Sequence, residues 1–182
     1  MAKGVYVTTD RDSEYQRIGY IDLATGQYKP VTDNIKADVV EFDLSSDGKT
    51  LAFVTNEDGI GRLHIVDTGT CKEKPTPELP IGVVAGLKWH PNGHDLGFAF
   101  TSPRYPVDVY SYDTQTGKLD RWTFSETGGI NTESLSEAEL IRWKSFDGRP
   151  ISGFLYRPPA KVQGQAPSNH RSSRWTSGTD TS

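Results

Sequence analysis

The sequence contains almost no cysteine and no long hydrophobic run. Its single cysteine, Cys71, excludes a disulfide within the chain, and such sparing use of cysteine fits a reducing compartment. No apolar stretch approaches the roughly 20 residues that a membrane-spanning helix needs. The N-terminal residues also have no apolar core of the kind found in a secretory signal. We therefore expect a soluble, cytoplasmic protein.

The sequence also has no large excess of charge of either sign. Twenty basic and 24 acidic residues give a net charge of −4. This balance provides neither the basic footprint of a nucleic-acid-binding protein nor a polybasic patch for a membrane surface. We therefore expect no nucleic-acid partner and no membrane partner. Apolar residues make up 34% of the chain, which together with 18 glycines is enough to bury a core.

Helical periodicity is nearly missing, and a repeat of short alternating runs takes its place. The runs are separated by Gly, Asp, Asn and Pro, which is typical of an all-β fold. The Asp47-Gly48 turn aligns with Asn92-Gly93, 45 residues later. Asp22, Asp67 and Asp113 follow the same period to within one residue. The chain is therefore built from a repeated β unit.

Each unit has the spacing of a propeller blade, with about four strands in about 40–45 residues. A β-sandwich also has a strand every 8–12 residues or so, but it does not need this self-similarity. We predict an all-β partial β-propeller of about three four-stranded blades. The blades are predicted at residues 4–32, 38–80 and 84–126, and the first blade lacks its first strand.

The pattern changes after the third unit, so the predicted propeller occupies residues 1–128. Residues 129–139 are polar and contain glycine, which predicts a linker. Two alternating runs around Asp147-Gly148 predict a β-hairpin within residues 140–160, outside the repeat. Residues 161–182 are rich in Ser, Thr, Arg and Gly and are predicted to be a disordered tail.

Several stretches resemble the prolyl oligopeptidase family of serine peptidases, and especially its acylaminoacyl-peptidase-like members. They include DRDSEYQRIGYIDLATG, SSDGKTLAFVTNEDG and LPIGVVAGLKWHPNG. The most specific is ELIRWKSFDGRPISGFLYRPP, which resembles the segment where such enzymes leave the propeller and begin an α/β-hydrolase domain. The resemblance covers Gly4 to about Pro159. It implies a parent enzyme whose propeller of about seven blades limits access to peptides and small substrates.

The motifs of hydrolase chemistry are missing from the sequence. An α/β-hydrolase needs a serine in a G-x-S-x-G elbow and backbone donors for the oxyanion, and neither this motif nor His-Gly-Gly occurs. No catalytic, cofactor-binding or metal-binding residue is therefore predicted. The chain is interpreted as a non-catalytic peptidase fragment, for which a peptide would be a partner only in the intact parent. The alternative is a free-standing TolB-like propeller that acts as a binding or scaffold module, although such a module has no use for the hydrolase-like hairpin.

Two clusters resemble metal sites, and neither pattern is complete. His90 and His94 are four residues apart, but Pro91 and the following Asn-Gly exclude the helix that would bring them together. They are predicted to be loop histidines. The acidic DRDSE segment, with Asp10, Asp12 and Glu14, lacks the glycine and the terminal glutamate of a calcium loop, and is predicted to be an ordinary blade loop.

Three other features also favour structural roles. Cys71 follows a predicted turn and is expected to be a solvated thiol. Alternating aromatic residues predict packing between blades (Trp89, Phe98, Phe100, Tyr110 and Tyr112). The loop Ser102–Asp108 is the best candidate for a functional loop, although an edge connection is favoured. A partial propeller leaves open sheet faces and edges, so the chain is also expected to self-associate.

The tail supplies the first testable prediction, which is that residues after about Pro167 are read in a shifted frame. In the resembling family the hairpin is soon followed by a strand that ends in His-Gly-Gly-Pro. With TCN codons for Ser and CGN codons for Arg, a one-base shift from Asn169 onward permits Ile-Ile-Asp-Leu-His-Gly-Gly-Pro, and the single Trp175 codon forces one of the glycines. Resequencing the gene through Pro167 should show this motif and a later G-x-S-x-G. If no other frame contains them, the frameshift hypothesis is wrong.

Overall fold

A computed structural model describes residues 3–158. Within this range about half of the chain is β-strand and there is no α-helix, as the sequence predicted. The only helical element in this range is a short 3₁₀ helix, Thr132–Ser134. No helix in the described part is long and apolar enough to cross a membrane. The predicted tail, residues 161–182, lies outside the described residues.

The strands form three consecutive antiparallel sheets and a separate hairpin. Sheet 1 contains β1 (Gly4–Thr9), β2 (Arg17–Asp22) and β3 (Tyr28–Pro30). Sheet 2 contains β4 (Asp38–Leu44), β5 (Thr50–Glu57) and β6 (Ile60–Asp67). Sheet 3 contains β7 (Val83–Trp89), β8 (Asp95–Thr101), β9 (Asp108–Asp113) and β10 (Leu119–Arg121). The hairpin pairs β11 (Ala138–Lys144) with β12 (Pro150–Tyr156).

The prediction of four strands per blade is wrong for the second unit. After β6 the chain forms only an isolated bridge between Val66 and Glu73, although the backbone N–H of Lys74 still donates to the carbonyl of Ile65 at 2.7 Å. Pro75 and Pro77 follow at once, and a proline has no N–H to extend the ladder. The fourth strand of sheet 2 is therefore reduced to a bridge. Among the described residues, sheet 1 has no counterpart of the first strand of the other sheets, as predicted.

The repeated turns account for the period in the sequence. Gly48 and Gly93 have φ of +71° and +78°, which is why Asp-Gly and Asn-Gly occur there. The repeated aspartates close a further turn, which in sheet 2 lies at the same end as Asp47-Gly48 because Asp67 pairs with Thr50. Asp22, for example, accepts hydrogen bonds from the backbone N–H of Thr25 at 2.8 Å and from its hydroxyl at 3.0 Å, and these bonds lower the Asp22 pKa.

The main core lies between sheets 2 and 3. The predicted aromatic residues of sheet 3 pack there against small and branched side chains of sheet 2, so their assignment to inter-blade packing is confirmed (Trp89, Phe98, Phe100 and Tyr112, with partly buried Tyr110, against Ala52, Val54, Leu63 and Ile65). A second, smaller core joins sheets 1 and 2 (Ile18, Val39, Leu51, Phe53 and Val66). Each sheet therefore buries its apolar face against the next sheet in the chain.

The stacked arrangement predicts a sharp contrast between two leucines. Leu96 in β8 is fully buried in the main core, whereas Leu23 is 58% exposed. Leu96→Ala should lower the free energy of unfolding by about 2–5 kcal/mol because it leaves a cavity, whereas Leu23→Ala should change it by less than about 0.5 kcal/mol. Urea denaturation of the two variants gives both values. Equal effects would show that sheets 2 and 3 are not packed as described.

Candidate functional site

The hairpin β11–β12 is attached to the turn between β5 and β6 of sheet 2. Asp58, in this turn, accepts hydrogen bonds from the Arg142 guanidinium, from Nε at 3.1 Å and also from Nη2. Ser152, opposite Arg142 in the hairpin, also contributes a hydrogen bond. The bonds from Arg142 and Ser152 hold the pKa of Asp58 below its usual range. A polar clasp therefore joins two segments that are 84 residues apart in sequence.

An apolar contact lies beside this clasp. The Phe154 ring covers Gly59, where an added Cβ would lie 3.0 Å from the ring. Gly59 has φ of +87°, so glycine is favoured there by both backbone conformation and space. Between the hairpin and the sheets a cavity of about 260 Å³ is lined by apolar and small residues, among them Ile81, Val83 and Ala138.

The predicted functional loop Ser102–Asp108 lies on the same side of the molecule. Its Arg104 binds the linker rather than open solvent, with Nε donating to the carbonyl of Leu135 at 3.0 Å and Nη1 at 2.8 Å from Glu137 Oε1. This loop and the clasp together connect the sheets to the hairpin. The interpretation of the loop as a connection, rather than a substrate-binding loop, agrees with these contacts.

The end of the same loop contains a buried carboxylate. Asp108 is 1% exposed and accepts hydrogen bonds from the Thr123 hydroxyl at 2.8 Å and the Ser125 N–H at 2.9 Å, and it pairs with Arg121. Burial raises the pKa of Asp108, but the bonds from Thr123, Ser125 and Arg121 outweigh it and the pKa is lowered. Asp108 is therefore held as an anion that fixes the chain where it leaves sheet 3.

The two histidines of the HPNGH segment lie in the turn between β7 and β8, as predicted. His94 Nδ1 lies 3.3 Å from Asp95 Oδ1 and 3.4 Å from Asp113 Oδ1, and His90 is not part of this group. The group has the residue types of a metal site. Its carboxylates already accept hydrogen bonds, however, with Asn92 donating to Asp95 and Thr116 to Asp113 at 2.7 Å each. We interpret it as a turn that is held by hydrogen bonds to its carboxylates.

A third histidine, His64, joins a hydrogen-bonded chain that the sequence did not predict. His64 Nε2 lies 3.0 Å from Thr55 Oγ1, and His64 Nδ1 lies 3.2 Å from Glu73 Oε1. These distances match those of a nucleophile, base and acid triad. Thr55 is completely buried, however, so no substrate can reach its hydroxyl. The hydrogen-bonded chain instead joins β5 and β6 to the bridge that replaces the fourth strand of sheet 2. The predicted pairing of β5 with β6 indicates that Thr55 and His64 lie on neighbouring strands. The position of Glu73 beside them could not be predicted from the sequence.

The other predicted sites also lie in loops. Asp10, Asp12 and Glu14 occupy the connection between β1 and β2, and Asp12 has φ of +57°. Cys71 is exposed in the turn after β6. These positions agree with the predictions of an acidic blade loop and a solvated thiol.

Comparisons with known proteins point to one group of enzymes. No family model matches the chain, and no curated protein matches it. Among solved structures, one from a study of two prolyl endopeptidases has 23% identity and a TM-score of 0.70, and the match covers 85% of this chain and 23% of that one. A puromycin-hydrolyzing peptidase of Mycobacterium tuberculosis has 21% identity and a TM-score of 0.72, with 86% and 25% covered. Prolyl oligopeptidase B from Galerina marginata has 12% identity and a TM-score of 0.72, with 85% and 22% covered.

These similarities establish the fold. The described sheets match the propeller portion of prolyl oligopeptidase-type peptidases, so the predicted resemblance is confirmed at the level of the fold. The chain spans about a quarter of the length of the solved structures that it matches.

The clasp predicts that a single carboxylate holds the hairpin in place. Asp58→Asn keeps a residue type that tolerates the positive φ of +55° but removes the charge that pairs with Arg142. Amides of β11 and β12 should then exchange with solvent about two- to fivefold faster, as expected for loss of a partly exposed ion pair. Asp147→Asn, in the turn of the same hairpin, is the control and should leave exchange in the strands unchanged. Equal exchange in the two variants would contradict the clasp.

The same contact should depend on pH. Because the Asp58 pKa is lower in the folded chain than in a free aspartate, its contribution is fully present above the ordinary carboxyl range, near about pH 4. It is lost as the pH falls through the lowered value. Hydrogen exchange of β11 and β12, corrected for intrinsic pH effects, should therefore rise in acid in the unmodified chain and less so in Asp58→Asn. An identical pH profile for both proteins would rule out this linkage.

Proposed function

We propose that this chain is a propeller segment of a serine peptidase of the prolyl oligopeptidase family, joined to the first hairpin of its α/β-hydrolase domain. The observation that carries the proposal is the order of the elements. Three repeated sheets are followed by a linker and by a hairpin that lies outside the repeat and is attached to sheet 2. A TolB-like scaffold propeller has no need of such a hairpin, so the peptidase assignment is favoured.

In the intact enzyme the propeller would cover the catalytic domain and restrict access to peptides and small substrates. The matched study of prolyl endopeptidases concerns inter-domain dynamics in their catalysis and specificity. The Asp58–Arg142 clasp lies where the two parts of the present chain meet, so it would belong to the contact between propeller and hydrolase domain. The division at residues 128, 139 and 160 is part of this proposal.

The chain itself would not be catalytic. The 182 residues contain no G-x-S-x-G, and the one triad-like arrangement among the described residues has a buried hydroxyl. Sheet 3 and the segment after it carry exposed apolar residues, including Val109 in β9 and, after β10, Trp122 and Phe124, at 44%, 67% and 74% exposure. Exposed apolar surface of this kind favours association, so the chain would also be prone to self-association.

The proposal predicts that a fluorophosphonate probe for serine hydrolases will not label the purified chain. The rate at which acyl-amino-acid nitroanilides are hydrolysed should likewise equal the rate in buffer without the protein. The heat-denatured chain provides the background for non-specific labelling. Stoichiometric labelling that is lost on substitution of one particular serine would show that the chain has its own active site, and the proposal of a non-catalytic segment would then be wrong.

A further inference from the structure

Acidic side chains join the first strands of sheets 2 and 3. Glu41 of β4 accepts hydrogen bonds from the backbone N–H groups of Gly86 and Leu87 of β7, at 3.1 and 3.2 Å. Asp43 accepts from the N–H of Trp89 at 2.8 Å. The two carboxylates, two residues apart on one strand, therefore satisfy a row of N–H groups on the next sheet.

These N–H groups are free because β7 is the edge strand of its sheet and carries a bulge between Ala85 and Lys88. An edge strand presents backbone groups that no neighbouring strand satisfies. A bond from a charged carboxylate to such an N–H is stronger than one between neutral groups. The two carboxylates therefore accept the hydrogen bonds that this bulged edge strand cannot make within its own sheet.

Strand β4 also has an open edge, on the side that faces away from β5. It is also the first strand of its sheet and has a bulge between Val39 and Glu41. The 45-residue period places Phe42 and Leu44 where sheet 3 has Leu87 and Trp89. The Ser45 N–H donates to the Thr50 carbonyl at 2.8 Å, so the backbone groups of Phe42 and Leu44 point away from β5. No side chain within residues 3–158 accepts a hydrogen bond from the backbone N–H of either of these two β4 residues.

Within residues 3–158, sheet 1 contains no strand that would supply those carboxylates. Its β1 is an edge strand. The Leu23 N–H donates to the Lys3 carbonyl at 3.0 Å, and this bond fixes which residues of β1 direct their backbone groups toward β2. Lys3 therefore turns its backbone groups toward β2. Gly4, Tyr6 and Thr8 direct theirs away from β2, to the open edge.

A groove of about 900 Å³ lies between sheets 1 and 2, and it runs from the open edge of β1 across sheet 1 to Lys29 and Val31. Gly4 and Tyr6 line it from sheet 1, and Leu44 and Ser46 line it from sheet 2. In the next interface, Trp89 and Pro91 stand at the places of Leu44 and Ser46 and contact Asp43 and Ser46 of sheet 2. One end of the groove therefore lies at the position of a missing first strand. Lys3 and Lys29 outnumber the single acidic residue of the lining, Asp47, so the charge of the groove suits an acidic segment.

We propose that this groove is a strand-acceptor site for an extended peptide segment that carries carboxylates two residues apart. The segment adds antiparallel to β1, and its acidic side chains accept hydrogen bonds from the outward N–H groups of Phe42 and Leu44 in β4. Because β4 pairs Asp43 with Ala52 and Glu41 with Val54, the matching register places the two acidic residues opposite Tyr6 and Thr8. This is strand addition to an exposed sheet edge, with the charged side chains adding specificity. It does not depend on the proposed function.

The test uses a peptide with the sequence of β4 itself, Asp-Val-Val-Glu-Phe-Asp-Leu, because this strand already makes the same contacts with sheet 3. Fluorescence anisotropy of the labelled peptide with the full 182-residue chain should show saturable 1:1 binding. The matched peptide Asp-Val-Val-Gln-Phe-Asn-Leu should bind at least about tenfold more weakly, since it loses two charge-assisted bonds. Equal binding of the two peptides, or no binding of either, would overturn the proposal.

Variants of the chain locate the site. Thr8 is exposed in β1, and Thr8→Pro removes one outward N–H but none that pairs with β2. Thr8→Pro should abolish binding of the acidic peptide, whereas Thr8→Val, which keeps the N–H, should bind as the unmodified chain does. In the unmodified chain, hydrogen exchange at the amides of Tyr6 and Leu44 should slow when the peptide binds, a readout that does not depend on how well the proline variant folds. Binding without protection of these amides would overturn the proposal. So would a dimer that Thr8→Pro dissociates and the peptide does not, because a second copy would then be the occupant.

Discussion

The bonds from the carboxylates of β4 to the backbone of β7 are the constraint on which the described structure depends. A single three- or four-stranded sheet cannot bury its apolar face by itself, so each sheet needs the next one at a fixed distance and register. Glu41 and Asp43 set that register, because they satisfy particular N–H groups of the β7 bulge. The indole of Trp89 strengthens the same junction by donating to the carbonyl of Asp43 at 3.1 Å. The aromatic residues of sheet 3 can then fill the space between the sheets.

The stacked sheets in turn provide the surface that receives the hairpin. The turn Asp58-Gly59 projects from sheet 2, and the loop that contains Arg104 projects from sheet 3, so both lie beside β11 and β12 only while the two sheets stay in register. A propeller in the matched peptidases is part of a much longer chain, and the present chain spans about a quarter of that length. The proposed role in a peptidase therefore rests on how the stacked sheets hold the hairpin β11–β12. It requires no catalytic group in this chain.

Much of this fold could be predicted from the sequence because its signals are local. Asp-Gly and Asn-Gly turns require positive φ at Gly48 and Gly93, and the alternation of apolar residues follows directly from the geometry of a strand. The contacts between sheets could not be predicted in the same way. Glu41 and Asp43 look like ordinary polar strand residues, and their partners lie 45 or 46 residues away. The 45-residue repeat continues across Pro75 and Pro77 and so predicts a fourth strand in sheet 2, but at these prolines the ladder loses its donors.

Hydrogen exchange at Trp89 tests the central claim most directly, because both of its N–H groups donate to Asp43 of the neighbouring sheet. In an NMR exchange experiment on the full chain, the indole and the backbone N–H of Trp89 should be protected to the same extent, and as strongly as the amides of β5 and β8. The indole of Trp143, a residue that is 48% exposed on the hairpin, provides the reference for rapid exchange. Exchange of the Trp89 indole as fast as that of Trp143 would contradict the account, because sheets 2 and 3 would then not be joined through their first strands.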